Sequence, residues 1–296
     1  MTEDYPPFPA PPPIPATVVA PAKPRVWPAF TAFAALLVLE LIAAVVVVVG
    51  VTIIKYGPKF SFDKIDAVVA SASGLLSSFV CTMAIAAGIA LAGAWLSPQE
   101  WRERLQLRRV PLYASLLVMG TLGIMSVGMI LSSCMELGWV PRSHALDVLD
   151  HMMRSLSPAG QALAVLLLGL LPGLIEELLF RGYIQTRLVA RWGAAWGIFW
   201  TALMFGISHL DLMQGLFAVA VGCILGFIAH RAGSIIPAMI CHAANNLASG
   251  LLSVLAGDIH DKASNLAMLV CGLVILPLAI LFLRRRLPPA NPTVTA

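Results

Sequence analysis

The chain has few charged residues for its length. Its 296 residues include 19 lysines and arginines and 15 aspartates and glutamates, so that only 11% are charged, whereas 59% are hydrophobic. With a mean hydropathy of +0.88, this composition excludes an ordinary soluble globular domain. The net charge of +4 comes without any basic patch interleaved with aromatic residues, which argues against nucleic acid as a partner.

Several sequence patterns are also missing, and each absence removes a class of protein. No run of strictly alternating polar and apolar residues is present, which argues against a membrane β-barrel. No clear internal repeat is visible, so an inverted-repeat transporter gains no support. Five cysteines without CxxC spacing lie in or beside apolar stretches and are predicted to be small core residues: Cys81, Cys134, Cys223, Cys241 and Cys271.

Long apolar segments recur along nearly the whole chain. A helix needs about 20 apolar residues to cross roughly 30 Å of hydrocarbon. Eight segments meet this length, at about 28–54, 67–96, 111–134, 160–183, 195–212, 213–229, 234–254 and 264–283. The sequence therefore predicts an all-α fold, a polytopic bundle of about eight transmembrane helices over residues 27–286, with the lipid bilayer as its surroundings.

The two ends of the chain differ from this apolar region. Residues 1–26 contain a proline run that cannot form a helix and is predicted to be a disordered cytoplasmic tail, which could also bind a partner with an aromatic groove. Residues 287–296 are predicted to be a C-terminal tail. Basic residues cluster on one side of the eight-span arrangement, notably in WRERLQLRR (101–109) and at Arg284, Arg285 and Arg286. The positive-inside rule then places that side, and both termini, in the cytoplasm.

The most informative polar residues stand inside apolar segments. Glu176, Glu177 and Arg181 lie in QALAVLLLGLLPGLIEELLFRGYI (161–184), and His209 and His242 lie in later segments. A charged side chain near the centre of a bilayer costs at least about 2.5–3.5 kcal/mol, so such residues usually face a cavity and act there. The alternative is that they are polar side chains that hydrogen-bond between membrane helices.

Spacing predicts which of these residues meet. Glu177 precedes Gly193 by 16 residues and His209 follows it by 16, so that an antiparallel hairpin turning at Gly193 places both at about 24 Å from the turn. Glu177 and Arg181 are four residues apart on one helix face and should form an ion pair. Glu176 points about 100° away and is left without a partner in its own helix, as a general base requires.

Four further residues in apolar segments are candidates for the site. His242 and Asn246 are four residues apart, so both are expected to point into one cavity as hydrogen-bond donors. Phe205 precedes His209 by one helical turn and is expected to pack beside it. Glu40 is a lone acid in the middle of the first span, either a partner for a polar side chain elsewhere or a residue on a substrate path.

Three short motifs in these segments carry a resemblance. EELLFR (176–181) resembles an EExxxR motif, FGISH (205–209) an FxxxH motif and HAANN (242–246) an HxxxN motif, in the order found in the CAAX protease and bacteriocin-processing family of intramembrane endopeptidases. The resemblance covers about 160–254, the family's core domain. It implies a bundle of about eight transmembrane helices with a site that opens toward the cytosol. It also implies a membrane protein or peptide as substrate, in some members a prenylated one.

The resemblance also implies roles for the motif residues. Glu176 and His209 would activate water, His242 and Asn246 would form the oxyanion hole, and Glu177 and Arg181 would hold the site together. No HExxH zinc helix is present, yet Glu176, His209 and His242 could supply three ligands to a divalent metal such as zinc. A metal-free mechanism would use the same residues. Two other functions stay open: a non-catalytic membrane scaffold or bacteriocin-immunity factor, and a proton-coupled transporter.

Overall fold

A computed structural model describes residues 24–69, 71–256 and 261–287. Within those ranges every regular element is a helix, and no strand occurs. The predicted all-α polytopic bundle is therefore confirmed. Most of both predicted tails lies outside the described residues, as do Asp258 and His260.

Among the described residues, seven helical stretches are long and apolar enough to cross a membrane. Six of them are single α-helices: α1 (Trp27–Tyr56), α3 (Ala72–Trp95), α5 (Ala114–Glu136), α10 (Leu212–Ala232), α11 (Ile236–Ala256) and α12 (Lys262–Arg286). The seventh is continuous from Pro158 to Trp192. It consists of α7 (Pro158–Glu176), a π-helical segment (Glu177–Gln185) and α8 (Thr186–Trp192).

The eighth predicted span, 195–212, is shorter than expected. It forms α9 (Ala194–Ile207), which has 14 residues and is followed by a break before α10. At about 1.5 Å per residue α9 covers about 21 Å, less than the hydrocarbon thickness of a bilayer. The reason lies in the sequence: Asp211 caps the next helix by accepting a hydrogen bond from the Gln214 amide, so the chain must leave helical geometry before it.

Three shorter helices lie between the long ones: α2 (Asp63–Val69), α4 (Trp101–Arg104) and α6 (His144–Ser155). A 3₁₀ turn at Gly57–Lys59 follows α1. Side-chain caps start several helices, and Ser71, Ser157 and Asp261 accept hydrogen bonds from the first turns of α3, α7 and α12. At the end of α10, Gly233 adopts the left-handed conformation that stops a helix.

The helices differ in how deeply they are buried. In an apolar 18-residue stretch of α10, half of the residues are buried in the bundle, whereas in the corresponding stretch of α1 only 6% are buried. α10 is therefore central, and α1 lies at the periphery. Glycines allow some helices to approach closely. At Gly120 on α5 an added Cβ would lie 2.7 Å from Sγ of Cys241, which places α5 directly against α11. All five cysteines are free, and Cys241 is buried.

Candidate active site

The segment that carries the first motif leaves α-helical geometry at the motif itself. Glu176 is the last residue of α7, and the next nine residues, Glu177–Gln185, form a π-helix. Eight of those nine residues are buried. Single-turn π-bulges occur frequently at functional sites. A longer π-helical stretch turns the side chains of this segment in directions that α-helical spacing alone would not give.

Glu177 lies at the centre of a buried polar cluster. Its Oε1 accepts a hydrogen bond from Nη1 of Arg181 at 2.7 Å and another from Nδ1 of His242 at 2.9 Å. The side chains of Glu177 and Arg181 are fully buried, and that of His242 is nearly so. The Arg181 guanidinium also stacks over the Phe205 ring, with 4.4 Å from Cζ to the ring centroid. The predicted ion pair is present, and it also holds His242 from another helix.

An arginine outside the motifs secures the same π-helical segment. Arg104, on α4, is buried and donates from Nη2 to the Tyr183 carbonyl at 2.7 Å and from Nη1 to the Thr186 hydroxyl at 2.5 Å. Its guanidinium and that of Arg187 both lie over the Tyr183 ring, at 4.9 and 4.1 Å. The cytoplasm-facing basic stretch predicted from the sequence thus also has a structural contact within the bundle.

Glu176 has a different environment from its neighbour. Its Oε2 lies 3.9 Å from Nε2 of His242, beyond hydrogen-bond distance. Its side chain keeps 16% of its surface exposed, whereas that of Glu177 is fully buried. In the described part of the chain the Glu176 carboxylate has no hydrogen-bond partner, so it is free to accept a proton from a bound molecule.

His209 follows α9 and is oriented by its own helix. Its Nδ1 lies 2.8 Å from the Phe205 carbonyl oxygen, which can only accept a hydrogen bond. Nδ1 therefore carries the hydrogen, and in the neutral ring Nε2 presents its lone pair. The Phe205 ring packs edge-on against His209, with centroids 4.9 Å apart, as the one-turn spacing predicts.

Glu176 and His209 line one cavity of about 260 Å³. Glu40 from α1 lines it too, together with Ser208 and Thr82, and most of the remaining wall is apolar. Leu41 and Leu210 also line the cavity and are largely exposed, at 67% and 79% of their surface. The cavity therefore reaches the exposed side surface of the helical bundle beside α1.

His242 and Asn246 both lie on α11. That they point into one cavity as hydrogen-bond donors stays a prediction, and neither is among the lining residues of the cavity that contains Glu176 and His209. His242 instead contacts Glu177 and faces Glu176, because α7 and α11 pack closely there. Asn246 accepts a hydrogen bond on Oδ1 from Nδ2 of Asn245 at 3.0 Å, which leaves its own N–H groups available as donors.

The residues proposed as metal ligands do not form a preassembled site. A catalytic zinc is held by three protein ligands around one point. In residues 24–69, 71–256 and 261–287, no group of three His, Cys, Asp or Glu side chains is arranged to hold a metal ion. Because Nδ1 of His242 is bonded to Glu177, only its Nε2 could act as a ligand.

Sequence reasoning missed the roles of Arg104 and Asn245. Arg104 lies in a basic stretch that looks solvated, and nothing in its spacing signals a contact with residues about 80 positions later. Asn245 is buried and orients the Asn246 amide. The doubled asparagine in HAANN was a usable signal for it, because a second amide within a membrane span also needs a hydrogen-bond partner.

Comparison with known families agrees with the motifs. Residues 158–248 match the family model described as type II CAAX prenyl endopeptidase Rce1-like. The matched segment covers less than half of the chain, from the start of α7 to the middle of α11, and includes all three motifs. No curated protein and no solved structure matches the chain significantly. Residues 158–248 of this multi-pass membrane protein are therefore similar to the Rce1-like, type II CAAX prenyl endopeptidase family.

Proposed function

We propose that the protein is an intramembrane endopeptidase in which Glu176 and His209 activate the water that attacks a peptide bond. One observation carries this proposal. Of two adjacent glutamates, Glu177 is committed to Arg181 and His242, whereas Glu176 faces the cavity that His209 also lines. A purely structural pair of carboxylates would not require one of them to stay unpaired beside a cavity.

The proposed first step is general-base catalysis. The Glu176 carboxylate accepts a proton from a water molecule in the cavity, while Nε2 of His209 accepts the second hydrogen of that water and orients it. The Phe205 carbonyl fixes the ring of His209 through Nδ1, so the lone pair of Nε2 stays directed away from α9. The hydroxide oxygen then forms a bond to the carbonyl carbon of the substrate.

The tetrahedral intermediate carries a negative oxygen that needs donors. The free N–H groups of Asn246 can donate to it, because Asn245 occupies only the oxygen of that amide. His242 can donate from Nε2 only when both ring nitrogens are protonated, since Nδ1 already donates to Glu177. The oxyanion role of His242 thus requires a hydrogen on Nε2 as well as on Nδ1.

The cavity supports a membrane-associated substrate. Its wall is largely apolar, and Leu41 and Leu210 at its rim are exposed on the side surface of the bundle. A peptide held in the bilayer by a lipid or an apolar segment could therefore reach Glu176 from the side. The family description adds that a prenylated protein with a CAAX sequence is the substrate class to test first.

The test compares purified wild type with Glu176→Gln on an internally quenched peptide that ends in a farnesylated CAAX sequence. We expect cleavage by wild type, and none by Glu176→Gln that is equally well folded. A parallel comparison of membrane-peptide profiles, from cells that carry either form, covers substrates outside the prenylated class. If both forms give the same profiles and the same cellular phenotype, the protein acts as a scaffold or immunity factor and the proposal is wrong.

A further inference from the structure

Glu40 belongs to the same cavity as Glu176 and His209, although its helix lies outside the segment that matches the family model. It stands in the middle of α1, between apolar residues, and its side chain is partly buried. α1 is the least buried of the long helices, so a carboxyl group there would meet lipid unless it turned inward. The structure turns it toward the cavity.

The groups around Glu40 define its electrostatic surroundings. Of the residues that line the cavity, only Glu40, Glu176 and His209 can titrate, and α3 contributes Thr82, Met83 and Ala86. Arg181 is paired with Glu177 and is not among the residues that line the cavity. Two carboxyl groups therefore line one small, mostly apolar cavity, and no lysine or arginine is among its lining residues.

Two like charges in one such space repel each other strongly, and a single shared proton removes the repulsion. A pair of carboxyl groups in that state contains one base and one acid, which is the combination that hydrolysis of a peptide bond needs. Glu176 is the member beside His209 and His242, so it is the base. Glu40 is then the carboxyl group in the cavity that is left to act as the acid.

We propose that Glu40 is the general acid of the reaction and protonates the departing amine. This inference rests on the proposed endopeptidase function. Glu176 takes one proton from water as the oxygen–carbon bond forms, and the Glu40 carboxyl gives its proton to the nitrogen as the carbon–nitrogen bond breaks. The products are a carboxylic acid and an amine. Transfer of the proton from Glu176 to Glu40 then restores the starting state.

The experiment compares two substrates that differ in one atom. The first is the farnesylated CAAX peptide, and the second has sulfur in place of the nitrogen of the scissile bond. A thiol has a pKa of about 8.5, so it departs as a thiolate and needs no proton from the enzyme. Glu40→Gln should lower turnover of the amide by about 10²–10⁴, the usual contribution of a general acid. Its turnover of the thioester should stay close to that of wild type.

Three controls separate the possible outcomes. Glu176→Gln should lose both activities, because hydrolysis of either substrate requires a general base to activate the attacking water. Asp66→Asn, an exposed carboxyl-to-amide change on α2, should lose neither. Glu40→Asp keeps an acid and should fall between Glu40→Gln and wild type on the amide. The ratio of the two activities does not depend on how much of a variant folds.

The results distinguish a failed inference from a failed function. If Glu40→Gln loses both activities equally, or loses neither, Glu40 is not the general acid, while the endopeptidase function stands. If wild type cleaves neither substrate, or Glu176→Gln cleaves as fast as wild type, the proposed function itself fails. A selective loss of amide cleavage in Glu40→Gln supports both.

Discussion

At the scale of single residues, Glu176 and Glu177 show how environment assigns different tasks to identical side chains. Glu177 is fully buried and bonded to Arg181 and His242, whereas Glu176 has the cavity on one side and His242 at 3.9 Å. A buried charge that loses its partner is costly, because the remaining charge stays in a medium of low polarity. The two positions should therefore respond differently to the same substitution.

The first prediction concerns stability. Glu177→Gln should lower the free energy of unfolding by about 3–5 kcal/mol, the range for a buried ion pair that loses one member. Thermal unfolding of the purified protein in detergent measures this loss. Glu176→Gln is the matched control and should unfold near the wild-type temperature while it lacks activity. Equal stability of Glu177→Gln and wild type would show that the Glu177–Arg181 pair does not hold the site together.

The second prediction tests His242 and Asn246 as oxyanion donors. His242→Ala and Asn246→Ala should each lower turnover by about 10²–10³, as the loss of one such donor does in other hydrolases, with little change in substrate binding. Metal analysis of the same samples addresses the alternative. Zinc bound stoichiometrically to wild type and lost from His242→Ala, with Asn246→Ala still active, would instead assign His242 as a ligand.

Residue spacing alone predicted part of this site. Four-residue spacing correctly gave the Glu177–Arg181 ion pair and the packing of Phe205 on His209. Contacts between distant helices could not be read in the same way, because they depend on how deeply each helix sits in the bundle. The hydrogen bond from His242 to Glu177 is such a contact between helices.

At the scale of helices, the site depends on how closely α7 approaches α11. An added Cβ at Gly173 would lie 2.6 Å from the backbone nitrogen of Ala243. Gly173 is one turn before Glu176, and Ala243 follows His242 directly. Backbone atoms cannot move aside as a flexible side chain can, so any larger residue at 173 must push the two helices apart.

The third prediction follows from this approach. Gly173→Ala should destabilise the protein by about 1–3 kcal/mol, the usual cost of overpacking. It should also lower turnover further than the stability loss explains, since a displacement of about 1 Å can cost about 10² in rate. Gly88→Ala on α3 is the control, because an added Cβ there meets nothing within 4 Å. Full activity of Gly173→Ala would show that the α7–α11 distance does not set the site geometry.

Helix boundaries could be predicted from the sequence where a capping residue stands at the end of an apolar segment, and could not be predicted elsewhere. The sequence predicted seven of the long spans, but α9 ends earlier than its apolar composition suggests, because Asp211 caps α10. The π-helical segment had no sequence signal. It depends on tertiary contacts such as those of Arg104 with the Tyr183 carbonyl and Thr186, which come from a separate part of the chain.

At the scale of the whole molecule, contacts between loops define two ends of the bundle. At one end Arg104 contacts the π-helical segment, Ser234 donates to the Arg108 carbonyl at 2.7 Å, and Arg231 donates to the Leu287 carbonyl at 2.6 Å. At the other end Asp211 accepts a hydrogen bond from Ser143 at 3.0 Å. Hydrogen bonds from Gln214, and then from Ser143, lower the pKa of Asp211 below its usual value.

These contacts decide whether α9 counts as a crossing. Asp211, in the turn after α9, is hydrogen-bonded to the loop before α6. This contact lies at the end of the bundle where α5 ends. The short helix α9 and its turn therefore carry the chain from one end of the bundle to the other. Over the described ranges the chain thus passes between the two ends eight times, and residues near 104, 231 and 287 share one end. The basic residues that predicted the cytoplasmic side lie in these same regions.

The last prediction is the orientation of the bundle. Reporter fusions after Arg109, Arg231 and Arg286 should all report the cytoplasm, because the positive-inside rule keeps lysine- and arginine-rich loops on that side. Fusions near Asp147 and Asp258 should report the opposite side. Since the structure holds the regions of Arg104, Arg231 and Leu287 at one end, the first three fusions must agree with one another. An external reporter after Arg109 alone would contradict the arrangement of the bundle, whereas external reporters at all three sites would contradict only its orientation in the membrane.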